Sequence, residues 1–280
     1  MNIREITDTI EEGNSLKQLT QAYGEVALIK IRKIRSGIEQ NRLFFKEIAS
    51  IFKIIKQYGA KNPVKITKSK GTISLLLSSN FRFYGNIDSA VIRQFLETTP
   101  KFATDRLVIG KTGDEYLNSM NYFNSYTKLQ FEKDIPALTE IQNLVLQIKD
   151  YNKVLIFYPQ FVSIFIQNPT LFDLTQSAQI ETISSTSQTG QYTIFEPELE
   201  KIISFFDSSI ISMLLQQTFF EAELARTASR ILAMDEAQIN AGKFIDSQKT
   251  LMAINRRTLE NTRMLENFAS FVSLRKEGYG

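Results

Sequence analysis

Carboxylates, Lys, Tyr and Ser are the only side chains with which this sequence could run acid–base or nucleophilic chemistry, because its 280 residues include no His and no Cys. Without imidazole there is no serine–histidine triad, no histidine base and no His-rich metal site. Without thiols there is no disulfide framework, zinc ribbon, iron–sulfur site or cysteine nucleophile. Carboxylate pairs are plentiful, but their spacing places them on helix surfaces, where they read as solvated faces. Gly110-Lys111-Thr112 has the ending of a phosphate-binding loop. That motif needs a Gly five residues before the second one, and the position holds Asp105. The turn Ser79-Asn80-Phe81-Arg82-Phe83-Tyr84-Gly85 lacks the Gly-x-Gly-x-x-Gly fingerprint of a dinucleotide fold. No constellation supports catalysis, a cofactor or a metal.

A basic cluster remains, Lys30, Arg32, Lys33 and Arg35. It is either a solvated helix face or a positive track turned to an acidic partner. Nucleic acid fits less well, because no aromatics interleave with the cluster and the chain carries a net charge of only +3, from 33 basic and 30 acidic residues.

The elements that would carry these residues are unusually long. In the first 60 residues, apolar side chains recur at steps of three and four: Ile3, Ile6, Ile10, Leu16, Leu19, Tyr23, Val26, Ile31, Ile34, Ile38, Phe45, Ile48, Phe52 and Ile55. This predicts one helix with a coiled-coil seam whose phase slips near Gly13 and near Lys30. Gly59 and Pro63 mark its end. The pattern returns after Phe195-Glu196-Pro197-Glu198 and thins beyond about residue 240, where Ala, Gly, Asn and Arg replace Ile and Phe. All six prolines (Pro63, Pro100, Pro136, Pro159, Pro169, Pro197) lie between these ends. The helices would be about 80 Å and about 110 Å long, too long for the interior of a globule of this size. They must pair, antiparallel, as the two ends of one chain entering and leaving one domain.

Residues 61–197 change period. Thr72 to Ser78, Arg106 to Ile109 and Lys153 to Phe157 read as buried strands, and Phe161 to Ile166 as a fourth. Ile87 to Leu96 reads as a helix, and Asp134-Ile135-Pro136 as the cap and start of a helix to Lys149. Strands alternating with helices predict a mostly parallel α/β sheet. Ser184 to Gly190 reads as a loop. The most apolar stretch, Val154 to Ile166, is interrupted by Pro159-Gln160 and is too short to span a bilayer. The N-terminus has no apolar core of a signal peptide. The expected order is a shaft helix (1–60), an α/β domain (61–197) and a second shaft helix (198–280).

Six stretches, in order, resemble the gamma subunit of rotary ATP synthases. Leu19-Thr20-Gln21-Ala22-Tyr23, Val26-Ala27 and Lys30-Ile31-Arg32-Lys33 are similar to Lys-Ile-Thr-x-Ala-Met…Val-Ala…Lys-Met-Arg. Ser78 to Gly85 stands where the family has Ser-Ser-Asp-Arg-Gly-Leu-Cys-Gly, and Gly110-Lys111-Thr112-Gly113 resembles Gly-Arg-Lys-Gly. Phe161-Val162-Ser163 with Gln167 and Pro169 matches another stretch, and Thr193 to Pro197 resembles Tyr-x-Phe-Glu-Pro. Arg230-Ile231-Leu232-Ala233-Met234-Asp235-Glu236-Ala237 with Asn240-Ala241 resembles Arg-Met-x-Ala-Met-x-x-Ala-x-x-Asn-Ala. The departures are the turn Asn80-Phe81-Arg82-Phe83-Tyr84, Tyr23 in place of Met, and Arg256-Arg257…Glu260-Asn261 in place of Arg-Gln…Ile-Thr.

The resemblance implies an antiparallel coiled coil joined to a Rossmann-like domain. It implies a non-catalytic rotor turning in a hexamer of alternating alpha and beta subunits, with the α/β domain resting on the epsilon subunit and the membrane ring of c subunits. No cofactor, nucleic acid or membrane insertion is implied. The location implied is the cytoplasmic face of the cell membrane, as a peripheral part of the complex. By position, Thr20, Ala22, Val26, Lys30, Arg32, Lys33, Arg230, Met234, Asp235, Arg256 and Arg257 would meet the hexamer, and Tyr192, Phe195 and Glu196 epsilon or the ring. Lys30, Arg32 and Lys33 would face acidic segments of the beta subunits. Two other readings stay open: a similar shaft in a specialised motor that does not make ATP, and a coiled-coil scaffold.

Overall fold

The computed structural model describes residues 3–59, 70–122, 124–176 and 199–277. Two helices dominate it: α1, Ile3–Gly59, of 57 residues, and a last helix, Leu199–Glu277, of 79 residues. Neither contains a proline, which would remove a backbone bond and kink the rod. The expected stop at Gly59 coincides with the end of α1. Contacts divide the chain into two compact units, Met1–Val26 with Ala233–Gly280, and Ala27–Leu232.

In the first unit the helices run antiparallel, with Thr7 opposite Met252 and Gly13 opposite Ile245. The seam differs from the one that apolar spacing predicts. The buried α1 residues here are Ile6, Gly13 and Thr20, seven apart. Leu16, Leu19 and Val26 are more than half exposed, and Tyr23 stands outside the seam as well. Small residues win the interface because they let two backbones approach: a Cβ on Gly13 would sit 2.9 Å from Ile245 Cγ1. The helix therefore has two apolar stripes, and the bulkier one faces outward.

The second unit is built on a sheet. Its strands are β1 (Lys70–Leu77), β2 (Asp105–Ile109), β3 (Thr127–Leu129), β4 (Tyr151–Phe161) and β5 (Gln167–Asp173). Its shorter helices are α2 (Ile87–Thr98), α3 (Lys111–Ser119) and α4 (Leu138–Ile148), so Leu199–Glu277 is α5. The spatial order is β3-β2-β1-β4-β5. β1, β2, β3 and β4 pair in parallel, and β5 returns antiparallel on β4. Central β1 is covered on both faces, which is why Ile73 to Leu77 reads as a nearly unbroken apolar run. On one face Leu75, Leu77, Ile109 and Ile156 pack with Ile141, Leu144 and Ile148 of α4 and Ile210, Leu214 and Phe219 of α5. On the other, Leu76, Val108, Leu155 and Phe157 pack with Val91, Ile92 and Phe95 of α2 and Leu117 of α3. A third cluster joins Ile31 and Ile34 of α1 to Leu224 and Ala228 of α5.

Several local expectations change. Phe161 to Ile166 is not a strand. β4 runs on to Phe161, and the chain then turns tightly, with Ile166 N–H donating to Ser163 O at 3.3 Å and Ser163 N–H to Ile166 O at 3.0 Å. Apolar composition suggested a strand there, but among the described residues nothing covers Val162, Phe165 or Ile166, which are more than half exposed. The strand is Gln167–Asp173, with Pro169 directly opposite Pro159. Neither can donate a ladder hydrogen bond, and β5 is an edge strand, where proline is tolerated. Asp134 does not cap α4. Glu140 accepts the Ala137 N–H at 2.7 Å instead, and Asp134 turns elsewhere. The expected loop at Ser184–Gly190 lies outside the described residues.

Candidate functional site: a buried joint and an exposed helix face

β1 ends at Leu77, and residues 78–85 pass over the carboxyl ends of the strands. There the chain leaves β1 towards β2 and leaves β4 towards β5, in opposite directions along the sheet, the place where α/β sheets hold their ligands. Here the chain fills that place itself. Ser78 Oγ donates to Ile109 O at 2.7 Å and accepts from Gly113 N–H at 2.9 Å. Ser79 O accepts the Thr112 N–H at 2.9 Å, and Asn80 Oδ1 accepts the Lys111 N–H at 3.2 Å. The amides of Lys111, Thr112 and Gly113, which a phosphate loop would turn outward, are thus bonded within the chain. Gly110 has φ of +100°, and a Cβ there would lie 2.4 Å from Ser78 O. The glycines of Gly110-Lys111-Thr112-Gly113 serve this crossing of two backbones.

Asn80 N–H donates to Asp134 Oδ1 at 2.7 Å, and Tyr84 OH donates to Asp134 Oδ2 at 2.8 Å. The same hydroxyl is 3.2 Å from Glu223 Oε1. Glu223 is fully buried on α5, and the Lys30 ammonium of α1 pairs with that oxygen. One turn on, Arg226, also buried, donates from Nε to Asp88 Oδ1 at 2.9 Å and from Nη2 to Leu77 O at 2.7 Å. Another turn on, Arg230 donates to the carbonyls of Arg82 and Phe83, its guanidinium 3.9 Å from the centre of the Tyr84 ring. Ser229 Oγ donates to Tyr84 O at 2.8 Å. These bonds hold Phe83 at φ of +68°, a conformation that bulky residues avoid.

Burial raises the Glu223 pKa, reinforced by Asp134 and opposed by Lys30 and Arg226. Burial, then Glu223 and Asp134, push the Tyr84 hydroxyl up. Burial works against the Arg226 charge, but Asp88, Glu223 and Asp134 outweigh it and raise its pKa. Formally the joint is balanced, with Lys30, Arg226 and Arg230 against Asp88, Asp134 and Glu223. Among the described residues no group of His, Cys, Asp or Glu is arranged to hold a metal.

The basic cluster singled out Lys30, and the family resemblance Arg230, but neither pointed to their partners. Tyr84 stood out only as an altered turn position and Asp134 only as a helix cap, while Asp88, Glu223 and Arg226 went unmarked. One signal was present: Glu223, Arg226 and Arg230 fall at i, i+3 and i+7, charges on a helix face that is otherwise apolar. The other residues singled out divide by exposure. Thr20 and Met234 are buried, while Ala22, Val26, Arg32, Lys33, Asp235, Arg256 and Arg257 are exposed. Arg256 lies 3.4 Å from Glu260 on its own helix. Tyr192, Phe195 and Glu196 lie outside the described residues.

A family model described as ATP synthase matches residues 2–258. The chain belongs to the ATP synthase gamma family. It is 22% identical to the ATP synthase gamma chain of Staphylococcus saprophyticus over 259 residues, covering 88% of this chain and 89% of that one. With the gamma chain of Pelotomaculum thermopropionicum it shares 22% over 265 residues, covering 91% and 92%. Its fold matches a chain of the Euglena gracilis mitochondrial ATP synthase OSCP/F1/c-ring structure, with a TM-score of 0.72 at 14% identity, covering 99% of this chain and 96% of that one. A chain of the Tetrahymena thermophila central stalk and c-ring gives 0.59 at 19%, covering 78% and 99%. As a gamma-family member, the chain is a central-stalk rotor subunit. Of the five altered turn positions, Asn80 bonds Asp134 through its backbone N–H and Tyr84 through its hydroxyl, so the departure from the family turn coincides with the joint.

Proposed function

We propose that this rotor turns inside a hexamer of alternating alpha and beta subunits, its sheet domain seated on epsilon and the c ring. The complex couples ion movement across the membrane to ATP synthesis or hydrolysis, and the chain itself carries no catalytic residue. It works as a peripheral subunit at the cytoplasmic face of the cell membrane. No described helix is long and apolar enough to cross a membrane.

The observation that carries the reading is the double stripe of α1. Small residues close the seam to α5, leaving Leu16, Leu19 and Val26 outward on a helix that is not apolar enough to cross a membrane. Such a face suits a partner that encloses the helix. Exposed Arg32 and Lys33, with Arg35 beside them, suit acidic segments of the beta subunits. Lys30 and Arg230, by contrast, are engaged with Glu223 and with the strand-end turn. Tyr192, Phe195 and Glu196 belong to the surface proposed for epsilon or the ring. The altered turn favours a second reading, a specialised rotary motor that consumes ATP.

Purification of the tagged chain from its own cells tests this. The rotor reading expects an ATP-hydrolysing alpha/beta hexamer to come with it, and c subunits as well if the complex is a synthase. A hexamer without a c ring supports the specialised motor. Recovery without any hexamer refutes both.

A further inference from the structure

We infer that Arg226 and Tyr84 are positioning residues that fix the rotation of α5 about its own axis against the sheet, and that this lock carries torque between sheet and helix. The inference rests on the rotor reading.

A twisting load applied to the sheet must reach α5 across their contact. Much of that contact is apolar: Ile210, Leu214, Leu215 and Phe219 lie against the sheet core. Apolar burial is non-directional, so it holds the helix close without fixing its azimuth. Hydrogen bonds weaken steeply away from linearity, so they do fix it. The directional bonds between α5 and the strand-end turn come from Glu223, Arg226, Ser229 and Arg230, within two helical turns. The Arg226 fork ties two different elements at once, the end of β1 through Leu77 O and the first turn of α2 through Asp88. Tyr84 meets α5 three ways: its hydroxyl reaches Glu223, its carbonyl takes Ser229, and its ring lies under Arg230. A slip of one helical turn, about 5.4 Å, would leave Arg226 buried without its partners, a far higher barrier than sliding between aliphatic side chains.

The test uses the assembled complex with a bead on the sheet domain. The chain has no native Cys, so a single Leu146→Cys on the exposed face of α4 takes the bead without side reactions. In this background Arg226→Lys keeps the charge but loses the fork, and Tyr84→Phe keeps the ring but loses the hydroxyl. Leu144→Ala, in the core beneath α4, serves as a control for general destabilisation. The expected result is that both joint variants lose torque at the bead while the rate of ATP hydrolysis stays at the parent level. Leu144→Ala should lower the melting temperature and leave torque unchanged. Parent-level torque in both joint variants overturns the inference, as does an equal loss in Leu144→Ala. Tyr84→Phe changes a single atom, so it answers the question even if Arg226→Lys fails to assemble. A parent complex that hydrolyses ATP but never turns the bead refutes the rotor reading itself, and is told apart by needing no variant.

Discussion

Arg226 Nε stands 2.9 Å from Asp88 Oδ1, so the last helix and the first turn of α2 share one buried ion pair. The arginine is 1% exposed and the aspartate 13%, and Asp88 is the largest compensation for the arginine's loss of water. Glu223 depends on the same guanidinium, whose Nη1 lies 3.9 Å from its Oε2. That oxygen is buried with no hydrogen bond.

Removing the guanidinium should therefore be far costlier than its packing suggests. Arg226→Met strands Asp88 without its cation and leaves Glu223 with Lys30 alone, and is expected to destabilise by about 3–5 kcal/mol. Combining it with Asp88→Asn should recover part of the loss, because the stranded charge goes too. Urea unfolding of the two single variants and the double variant measures the coupling.

Glu223 gives a pH dependence of definite sign. Its folded pKa is raised, so its contribution to stability is fully present below the unfolded value of about 4.3 and is lost as pH rises through the higher folded value. Glu223→Gln has no proton to lose. Relative to that variant, the parent should lose stability as pH climbs from about 4.3. Unfolding free energies measured across the acid range check it, and a parent that gains on the variant over this window contradicts it.

Three glycines should respond differently to alanine. At Gly110, φ is +100° and Ser78 O blocks the new methyl, so Gly110→Ala should cost at least about 1–3 kcal/mol. Gly242 lies inside α5 with nothing within 4 Å of a Cβ, and Gly242→Ala should stabilise by about 0.5–1 kcal/mol. Gly13→Ala falls between them, its gain in helix propensity opposed by contact with Ile245. Thermal denaturation ranks the three.

Reversing the exposed charges should leave the chain intact and weaken its partnership. Arg32→Glu with Lys33→Glu is expected to change the stability of the chain by less than about 0.5 kcal/mol per site. Torque should fall, and association with an isolated alpha/beta hexamer should weaken most at low salt. Unchanged torque together with unchanged, salt-independent association would show that this track meets no acidic partner.

The sequence made the long elements legible because their periodicity runs for dozens of residues, and a proline-free span leaves few alternatives. It made β1, β2 and β4 legible because strands buried on both faces are apolar throughout. It hid β3 and β5, which are edge strands with a mixed pattern, Thr127-Lys128-Leu129 being three residues long. The choice of seam was hidden for another reason. Apolar spacing cannot tell a stripe that meets its own chain from one that meets something else, and the decisive residues were the small ones, Gly13 and Thr20. The joint was the least legible. Asp88, Asp134 and Glu223 look like surface acids in a list of residues, and only the meeting of α1, α5 and the strand-end turn puts Lys30, Arg226 and Tyr84 beside them. Matching of the six stretches located the turn and marked its altered positions, without saying what Tyr84 touches.

The strand-end crevice has one more consequence. An arginine on α5 occupies the spot where a sheet of this topology would receive a small molecule, and α5 belongs to the same chain. A free ligand seeking that spot would compete with a tethered rival whose effective concentration does not fall on dilution. The crevice thus holds a covalently attached guest, the Arg226 side chain, in place of a diffusible one.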